Sequence, residues 1–383
     1  MNKVLCPLIM ASAAMSLLSC SDVPKNTTCN TAATAAAAQA ATTTAAVPDN
    51  HRKESTAVIT NSLVKTSKIR KVIIDTDTGG DDATALIIAA KNDGIEILGV
   101  TVAAGNVNVD QAADNAIMTL EVIGKGNIPV FKGASTTYTG KERQVFSVYG
   151  KDGMGDKGLI HPKGKAQEQN AVDFILETVK NNPGEIEIIA LGPLTNLALA
   201  LDKDPETMNT VKRVWSMGTS GFGPGNATPV AEFNVYHDAE AYKVIADSQI
   251  PVTAIGLNTN TEDTYLLPED LERLSKGTPA AAFVAGAMSG LLKFNKESRG
   301  QAVASVPDGI AVACALWPDY VLTEATCHAS VRVSDDETYG QVILYDKSFT
   351  YDSGITFDNY NFIVIDETRS WTFKEKLFEI LSK

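Results

Sequence analysis

The residues best suited to chemistry are four aspartates within eight positions of the chain: Asp75, Asp77, Asp81 and Asp82. A Gly-Gly pair at positions 79 and 80 allows a tight turn between them. If the four carboxylates converge, they repel one another unless a cation lies among them. Carboxylate oxygens suit hard cations such as Ca²⁺ or Mg²⁺, and no His or Cys lies nearby to favour zinc. We therefore expect a metal site here, with simple capping of a helix start as the alternative.

The Asp75-Thr-Asp77 spacing after an apolar run is also similar to the start of the haloacid-dehalogenase phosphatases. In those enzymes an Asp nucleophile attacks phosphate beside Mg²⁺. They have Thr or Val four positions after the first Asp, where this chain has Gly79. A phosphatase is therefore a distant alternative, which would act on phosphomonoesters.

The segments around the acids alternate between strand and helix patterns. Strands are predicted at 71–75, 95–102, 129–131, 185–190, 211–217 and 251–257. Helices are predicted at 83–91, 110–123, 169–181, 196–201, 238–247 and 372–381. This alternation predicts an α/β fold, a doubly wound and mostly parallel Rossmann-like sheet that binds its ligand at the carboxyl ends of the strands. Strand-like segments at 330–334, 340–345 and 361–365 predict a small antiparallel appendage near the C-terminus.

Composition narrows the class of protein. Of 383 residues, 44% are hydrophobic and 21% charged, which is an ordinary soluble mix and excludes a mostly disordered chain or a polytopic membrane protein. The 33 basic and 46 acidic residues give a net charge of −13. Because nucleic-acid binders need a broad positive surface, we expect no nucleic-acid partner. Small neutral substrates and metal cations fit this charge better.

The first 20 residues have the pattern of a secretory leader. Lys3 precedes an apolar run, from Val4 to Leu18, that is too short to span a bilayer. The run ends in Leu-Leu-Ser-Cys20, which resembles a bacterial lipobox, where the cysteine is acylated; an ordinary signal peptide with Cys20 incidental is the alternative. Such a protein would be exported to the bacterial cell envelope, in the periplasm or at the surface, and held to a membrane by its lipid anchor only.

The next segment, residues 21–68, is predicted to be a disordered tether. Much of it is Ala and Thr, which offer no large side chains to bury. We therefore expect the single folded domain to comprise residues 69–383. Cys314 lies in an apolar stretch of that domain and is expected to be a core residue.

The acidic segment from Asp75 to Ala83 resembles the Asp-x-Asp-Pro-Gly-x-Asp-Asp-Ala signature of the inosine–uridine nucleoside hydrolase family, with Thr78 in place of Pro. Other segments similar to the family follow in order: Gly105-Asn106, Gly153-Met-Gly-Asp156, Leu191-Gly-Pro-Leu-Thr-Asn196, Gly225-Asn-Ala-Thr-Pro229, Ala231-Glu-Phe-Asn234 and Pro307-Asp-Gly-Ile-Ala-Val312. The resemblance covers residues 71–383, and several motifs in the right order make chance a poor explanation.

This resemblance implies hydrolysis of the N-glycosidic bond of ribonucleosides, giving ribose and free base. A Ca²⁺-bound water, deprotonated by Asp77, would attack the anomeric carbon. By the same resemblance Ca²⁺ is held by Asp77, Asp82, Asp308 and the backbone carbonyl of Leu191. The nucleoside is held by Asp81, Asn106, Met217, Asn226, Glu232, Phe233 and Asn234, with Asn226 and Glu232 at the 5′ hydroxyl. Relatives are often dimers or tetramers, so a homo-oligomer is expected.

Two departures from the family concern the leaving base. Many relatives have a His before the last metal-binding Asp and another in the Gly-rich loop, and this chain has Pro307 and Tyr149 there. Tyr149 or Arg299 could take over protonation or activation of the base, and base preference is not fixed by the sequence. A second class of protein therefore stays open beside the hydrolase: a calcium-dependent nucleoside- or ribose-binding lipoprotein that has lost turnover.

Overall fold

In the computed structural model of the chain, residues 69–141 and 147–383 are described. The predicted leader, the lipidation site Cys20 and the tether lie outside these residues. The nine strands of the described part are β1 (Arg70–Thr76), β2 (Ile95–Val102), β3 (Val130–Lys132), β4 (Ile186–Ala190), β5 (Arg213–Met217), β6 (Val252–Ile255), β7 (Val321–Val331), β8 (Val342–Asp346) and β9 (Phe362–Thr368). They form a single sheet in the order β3-β2-β1-β4-β5-β6-β9-β7-β8.

Helices cover both faces of this sheet. They are α1 (Gly80–Ala90), α2 (Val109–Val122), α3 (Ala171–Asn181), α4 (Thr195–Lys203), α5 (Pro205–Met208), α6 (Phe233–His237), α7 (Ala239–Ala246), α8 (Pro268–Ser275), α9 (Pro279–Arg299), α10 (Pro307–Leu316) and α11 (Phe373–Ser382). Strands β1 to β6 are all parallel, in the 3-2-1-4-5-6 order of a doubly wound sheet. The predicted fold class is confirmed. Within the described residues no helix has the length and apolar character needed to cross a membrane.

The C-terminal strands extend the main sheet and are not a separate layer. Strand β9 pairs parallel with β6, and β7 is antiparallel to both β9 and β8. The strand predicted at 330–334 was misplaced, because β7 ends at Val331 and begins at Val321. The first half of β7 carries mostly exposed residues, so its sequence lacks the apolar alternation that marks a half-buried strand.

Helix α1 is buried along its whole length. All 11 of its residues are buried, since the helix packs against α9 and α10 as well as against α2. Its Ala and Gly positions allow this close packing, as a β-carbon on Gly80 would lie 2.9 Å from the carbonyl oxygen of Ala287 in α9. Two aspartates in the first turn of α1 are therefore held in the protein interior.

Helices α5, α6, α8, α9 and α10 were not predicted from the sequence, although α9 has clear boundary signals. Thr278 accepts a hydrogen bond from the backbone N–H of Ala281 (3.2 Å), Pro279 occupies the first turn, and Gly300 ends the helix in the left-handed conformation. Between these signals the helix is rich in Ala and Gly and buried on several sides. It therefore lacks the single apolar stripe by which helices are usually recognised.

The opposite end of the sheet from the strands' carboxyl ends is tied by a buried carboxylate. Glu187 of β4 accepts hydrogen bonds from Arg70 of β1 and from Lys212 and Trp215 beside and within β5. Burial alone raises the pKa of Glu187, but these partners outweigh it and lower the pKa to about 2. Three parallel strands are thereby fixed to one another far from the candidate site.

Candidate active site

The predicted site residues meet at the carboxyl ends of the central parallel strands. Asp77 follows β1, Leu191 follows β4, and Met217 is the last residue of β5. The chain runs outward from β1 to β3 and then returns to place β4 on the other side of β1, so Asp77 and Leu191 flank the point where the strand order reverses. Doubly wound sheets bind their ligands in this crevice.

Asp77 is fully buried and held closely by the backbone. Its Oδ2 accepts a hydrogen bond of 2.6 Å from the backbone N–H of Asn106. Its Oδ1 has no hydrogen-bond partner among the described residues. Glycines lie on both sides, because a β-carbon at Gly105 would come within 2.1 Å of Oδ2 and one at Gly192 within 2.7 Å of Oδ1. One oxygen is thus fixed and the other remains free for a ligand.

Three further carboxylates meet beside it. Oxygens of Asp81 and Asp82 in the first turn of α1 and of Asp308 in the first turn of α10 all lie within 4.8 Å of one another, and all three residues are buried. Asp82 accepts hydrogen bonds from the Thr76 hydroxyl (2.6 Å) and the Asn106 side-chain amide (3.1 Å). Asp308 is more than 220 positions away from the other acids in the chain, and α10 brings it to them.

The electrostatics of this group fit a bound divalent cation. Burial, and next the charge of Asp82, raises the pKa of Asp77 well above its usual range. Burial and then the charge of Asp81 do the same for Asp308, and burial with Asp82 raises the pKa of Asp81 to about 7. A cation among the carboxylates would reverse this mutual repulsion, and an all-oxygen donor set suits Ca²⁺ or Mg²⁺.

Asp75 does not join the other acids, contrary to the expectation that all four converge. Its carboxylate accepts hydrogen bonds from the hydroxyl of Thr101 (2.5 Å) and the side-chain amide of Asn196 (2.8 Å). Burial raises the pKa of Asp75 to about 7. The fourth carboxylate of the group is that of Asp308, which comes from the other end of the domain. It takes the place that the local spacing had predicted for Asp75.

Amide and carboxylate groups from other elements line the same crevice as the acids. The Asn234 side-chain amide donates to the carbonyl oxygens of Leu191 (2.7 Å) and Met217 (3.2 Å). Glu232 caps α6 by accepting from the backbone N–H of Val235 (3.2 Å). The Asn226 side chain accepts from the backbone N–H of Phe233 (2.9 Å). These groups can bind the hydroxyls of a ligand in the crevice.

Both sets of groups border a cavity of about 370 Å³. It is lined by most predicted residues: Asp81, Asn106, Tyr149, Leu191, Met217, Asn226, Glu232, Phe233, Asn234, Arg299 and Asp308. Asp77 and Asp82 lie beneath this surface, fully buried. Other lining residues were not predicted, chiefly Asn258, Asn260, Tyr265, Leu291, Phe294, Asn295, Gln301 and Ser305. Many of these belong to α9 and the segment after it, so recognising that helix would have revealed the spacing of Leu291, Asn295 and Arg299 along one of its faces.

The end of the cavity near Tyr149 and Arg299 contains none of the histidines in the described ranges. Tyr149 is buried beside Asp81. Burial, followed by the Asp81 charge, raises the pKa of Tyr149 well above its usual range, so its hydroxyl stays protonated. Arg299 is exposed at the end of α9, with its guanidinium 5.8 Å from the ring centre of Phe294. Among the described residues that line the cavity it is the one cationic side chain.

A doubly wound sheet, a buried group of acids at its reversal point and a cavity with hydroxyl-binding groups are typical of a metal-dependent α/β enzyme that acts on a small polyhydroxylated substrate. The model of the inosine-uridine preferring nucleoside hydrolase family matches residues 72–374. The chain belongs to this family of N-glycosyl hydrolases, as the sequence motifs indicated.

Comparison with individual proteins agrees with this family assignment. Uridine nucleosidase 1 of Arabidopsis thaliana is 41% identical over 196 residues, a region that covers 51% of this chain and 58% of that protein. The pyrimidine-specific ribonucleoside hydrolase RihB of Escherichia coli is 31% identical over 72% of this chain and 87% of its own length. Among solved structures, a plant nucleoside hydrolase has a TM-score of 0.76 at 29% identity, covering 82% of this chain and 99% of its own.

Proposed function

We propose that this protein hydrolyses the N-glycosidic bond of ribonucleosides, with uridine among its substrates. The observation that carries the proposal is the buried meeting of Asp77, Asp81, Asp82 and Asp308 beside a cavity that Asn234 and Glu232 also line. A pyrimidine substrate is supported by the names of two similar proteins, a uridine nucleosidase and a pyrimidine-specific hydrolase. The volume of the cavity in this protein is within the range of small-molecule binding sites.

Different residues of the proposed site bind different parts of the ribose. Asp81, Asn106 and Asn234 bind and orient the 2′ and 3′ hydroxyls, and Asn226 and Glu232 hold the 5′ hydroxyl. Met217 and Phe233 pack on the sugar ring. Asp77 accepts the proton of the attacking water, because its Oδ1 is free while its Oδ2 is fixed by Asn106. The remaining carboxylates stabilise the positive charge that develops on the ribose as the bond to the base breaks.

The metal site of the proposal consists of Asp77, Asp82, Asp308 and the Leu191 carbonyl. When bound there, Ca²⁺ would lower the pKa of the attacking water and hold the ribose diol. Asp81 belongs to the group of oxygens within 4.8 Å, so it lies next to such a cation as well as at the ribose. The hydrogen bonds from Thr76 and Asn106 keep Asp82 oriented for this task.

Ribose release tests the proposal directly. The domain from residue 48 onward is incubated with a panel of purine and pyrimidine nucleosides, in Ca²⁺ and again after chelation. We expect release from uridine that vanishes with chelator and returns when Ca²⁺, but not Mg²⁺, is restored. A protein that binds uridine in a calcium-dependent manner and releases no ribose from any nucleoside would favour the binding-protein alternative.

At the base end we propose that Tyr149 and Arg299 replace the histidines of other family members. A neutral Tyr149 can donate a proton, and the Arg299 guanidinium can stabilise negative charge on a departing base. We expect Tyr149→Phe and Arg299→Ala each to lower kcat for uridine by about 10²-fold, within the usual contribution of a general acid. A nitrophenyl riboside, whose leaving group needs no acid, should be cleaved by both variants nearly as by the wild type. Equal losses on both substrates would assign these residues to ribose binding or to structure.

We also propose that the protein is exported and acylated at Cys20, with residues 21–68 as the tether of a domain that starts near residue 69. The support is the Leu-Leu-Ser-Cys sequence at the end of the apolar run. Metabolic labelling with a fatty acid should mark the wild type and not Cys20→Ala, and equal labelling would refute the assignment. By analogy with the family the domain is proposed to form a homodimer or homotetramer, which sedimentation would show.

A further inference from the structure

Thr219, which no sequence motif singled out, has an unusual backbone conformation beside the cavity. It follows β5 by two residues and has a φ of +77°, in the left-handed region. That region is unfavourable for any residue with a β-carbon and most of all for a β-branched one. Thr219 is also 1% exposed, so solvent does not explain its conformation. Strain of this kind persists only when surrounding contacts impose it, and it is common at functional sites.

All three polar groups of Thr219 are used. Its backbone N–H faces the Glu232 carboxylate closely enough to lower the pKa of that carboxyl group. Its carbonyl oxygen accepts from the backbone N–H of Leu257 (3.2 Å), beyond the end of β6. Its hydroxyl oxygen accepts from the backbone N–H of Gly221 (3.0 Å). The left-handed conformation is what turns the N–H toward Glu232 while the carbonyl faces the neighbouring strand.

The hydroxyl bond secures the turn in this state. Gly221 itself has a φ of +60° and packs against Gly256, where an added β-carbon would lie 2.6 Å from the Gly221 backbone. The turn is therefore held between the end of β6 and the Thr219 side chain. Without the bond from Gly221, a β-branched residue at position 219 has a strong reason to relax to negative φ and withdraw its N–H from Glu232.

Glu232 depends on such donors. It is 2% exposed, and the backbone N–H of Val235 donates to its carboxylate (3.2 Å). The N–H groups of Asn234 and Thr219 also lie close enough to lower its pKa. Asn234 and Val235 belong to α6, which Glu232 itself caps, so the N–H of Thr219 is the one from outside that helix. A buried carboxylate that loses one of three such N–H groups gains freedom to turn, and a binding group that turns by an ångström loses much of its value.

We infer that Thr219 is a positioning residue, whose strained turn fixes the Glu232 carboxylate at the place where the proposed function puts the 5′ hydroxyl of the nucleoside. The inference rests on that proposed function. It assigns no contact between Thr219 and substrate. Its consequence is that position 219 controls recognition of the 5′ end and leaves the chemistry at the anomeric carbon untouched.

Two substitutions separate positioning from packing. Thr219→Val keeps the volume and loses the hydroxyl, whereas Thr219→Gly loses the volume but adopts positive φ freely and keeps the N–H. If Thr219 only fills space, Gly is the more damaging change, because it leaves a cavity. For a positioning residue the order reverses: Val raises the KM for uridine about tenfold, the usual scale of a lost hydrogen bond to a charged group, and Gly restores it to within about threefold. Thr119→Val, which removes a buried hydroxyl in α2, is the matched control.

The second substrate is 5′-deoxyuridine, which lacks the 5′ hydroxyl. Its KM should be the same in the wild type and Thr219→Val, and Glu232→Gln should show the same dependence on substrate. Equal KM changes for both substrates, or a Gly variant worse than the Val variant, would overturn the inference, and melting curves check that each variant is folded. If the wild type releases no ribose from uridine, the proposed function fails; the Val/Gly contrast is then measured in the Kd of uridine by calorimetry, which decides the inference separately.

Discussion

Asp77→Asn should lower kcat/KM for uridine by about 10³-fold or more. The change preserves shape and can still accept the 2.6 Å hydrogen bond from the Asn106 backbone, so the side chain stays in place. It removes the negative charge from a group that is proposed both to accept a proton and to bind the cation, and loss of a general base alone is worth about 10² to 10⁴. Ribose release at saturating Ca²⁺, with the variant's melting temperature measured alongside, tests this expectation.

The melting temperature distinguishes lost chemistry from lost structure. Asp77 is buried among like charges, since Asp82 and Asp81 both raise its pKa. Removing one charge relieves repulsion, so in chelator Asp77→Asn should melt no lower than the wild type. Asp93→Asn, the same change at an exposed residue, should affect neither quantity. If Asp77→Asn keeps more than a tenth of the activity, Asp77 is not the base.

The strands and helices predicted correctly are those in which the pattern of apolar residues along the chain reflects how the element is buried. Strand β2 was predicted at its observed bounds, Ile95–Val102, and β1 and β4 within one residue at each end, because buried parallel strands are continuous apolar runs. Helix α9 was missed because burial on several sides removes the periodicity that would reveal it. Strand β7 was misplaced because most residues in its first half are exposed.

The candidate site was also predicted only in part. Motifs found its residues, but motif spacing could not show which side chains converge. Asp75 and Asp77 are two residues apart, yet Asp75 hydrogen bonds to Thr101 and Asn196. The Asp77 carboxylate instead lies close enough to Asp82 and Asp81 for their charges to raise its pKa. Asp308 reaches the acids only through the packing of α10 on α1. Thr219 has no sequence signal at all, because positive φ at a non-glycine residue follows from tertiary contacts and not from local preference.

The Asp77 carboxylate lies in a space that Gly105 and Gly192 leave open because they have no side chains. A substitution at Gly105 should therefore also have a large effect on activity. The backbone of Gly105 lies outside the region reserved for glycine, so alanine can adopt its conformation. However, the added methyl would lie 2.1 Å from Oδ2 of Asp77 and 2.7 Å from its Cγ, far inside contact distance. Since Asp77 is buried and bounded on its other side by Gly192, the carboxylate can yield only by leaving its place.

Gly105→Ala should therefore lower kcat/KM for uridine by about 10²-fold, the scale expected when a reacting group moves by about an ångström. It should cost about 1–3 kcal/mol of stability, as overpacking of a core does, so the protein still folds. Gly126→Ala, at an exposed turn where the methyl would approach nothing closer than 3.3 Å, is the matched control and should change neither. Activity within threefold of the wild type would mean that catalysis tolerates a displaced Asp77 carboxylate. That result would weaken the assignment of Asp77 as the base even if Asp77→Asn is inactive. The loss of activity in Asp77→Asn would then be explained by weaker binding of the metal.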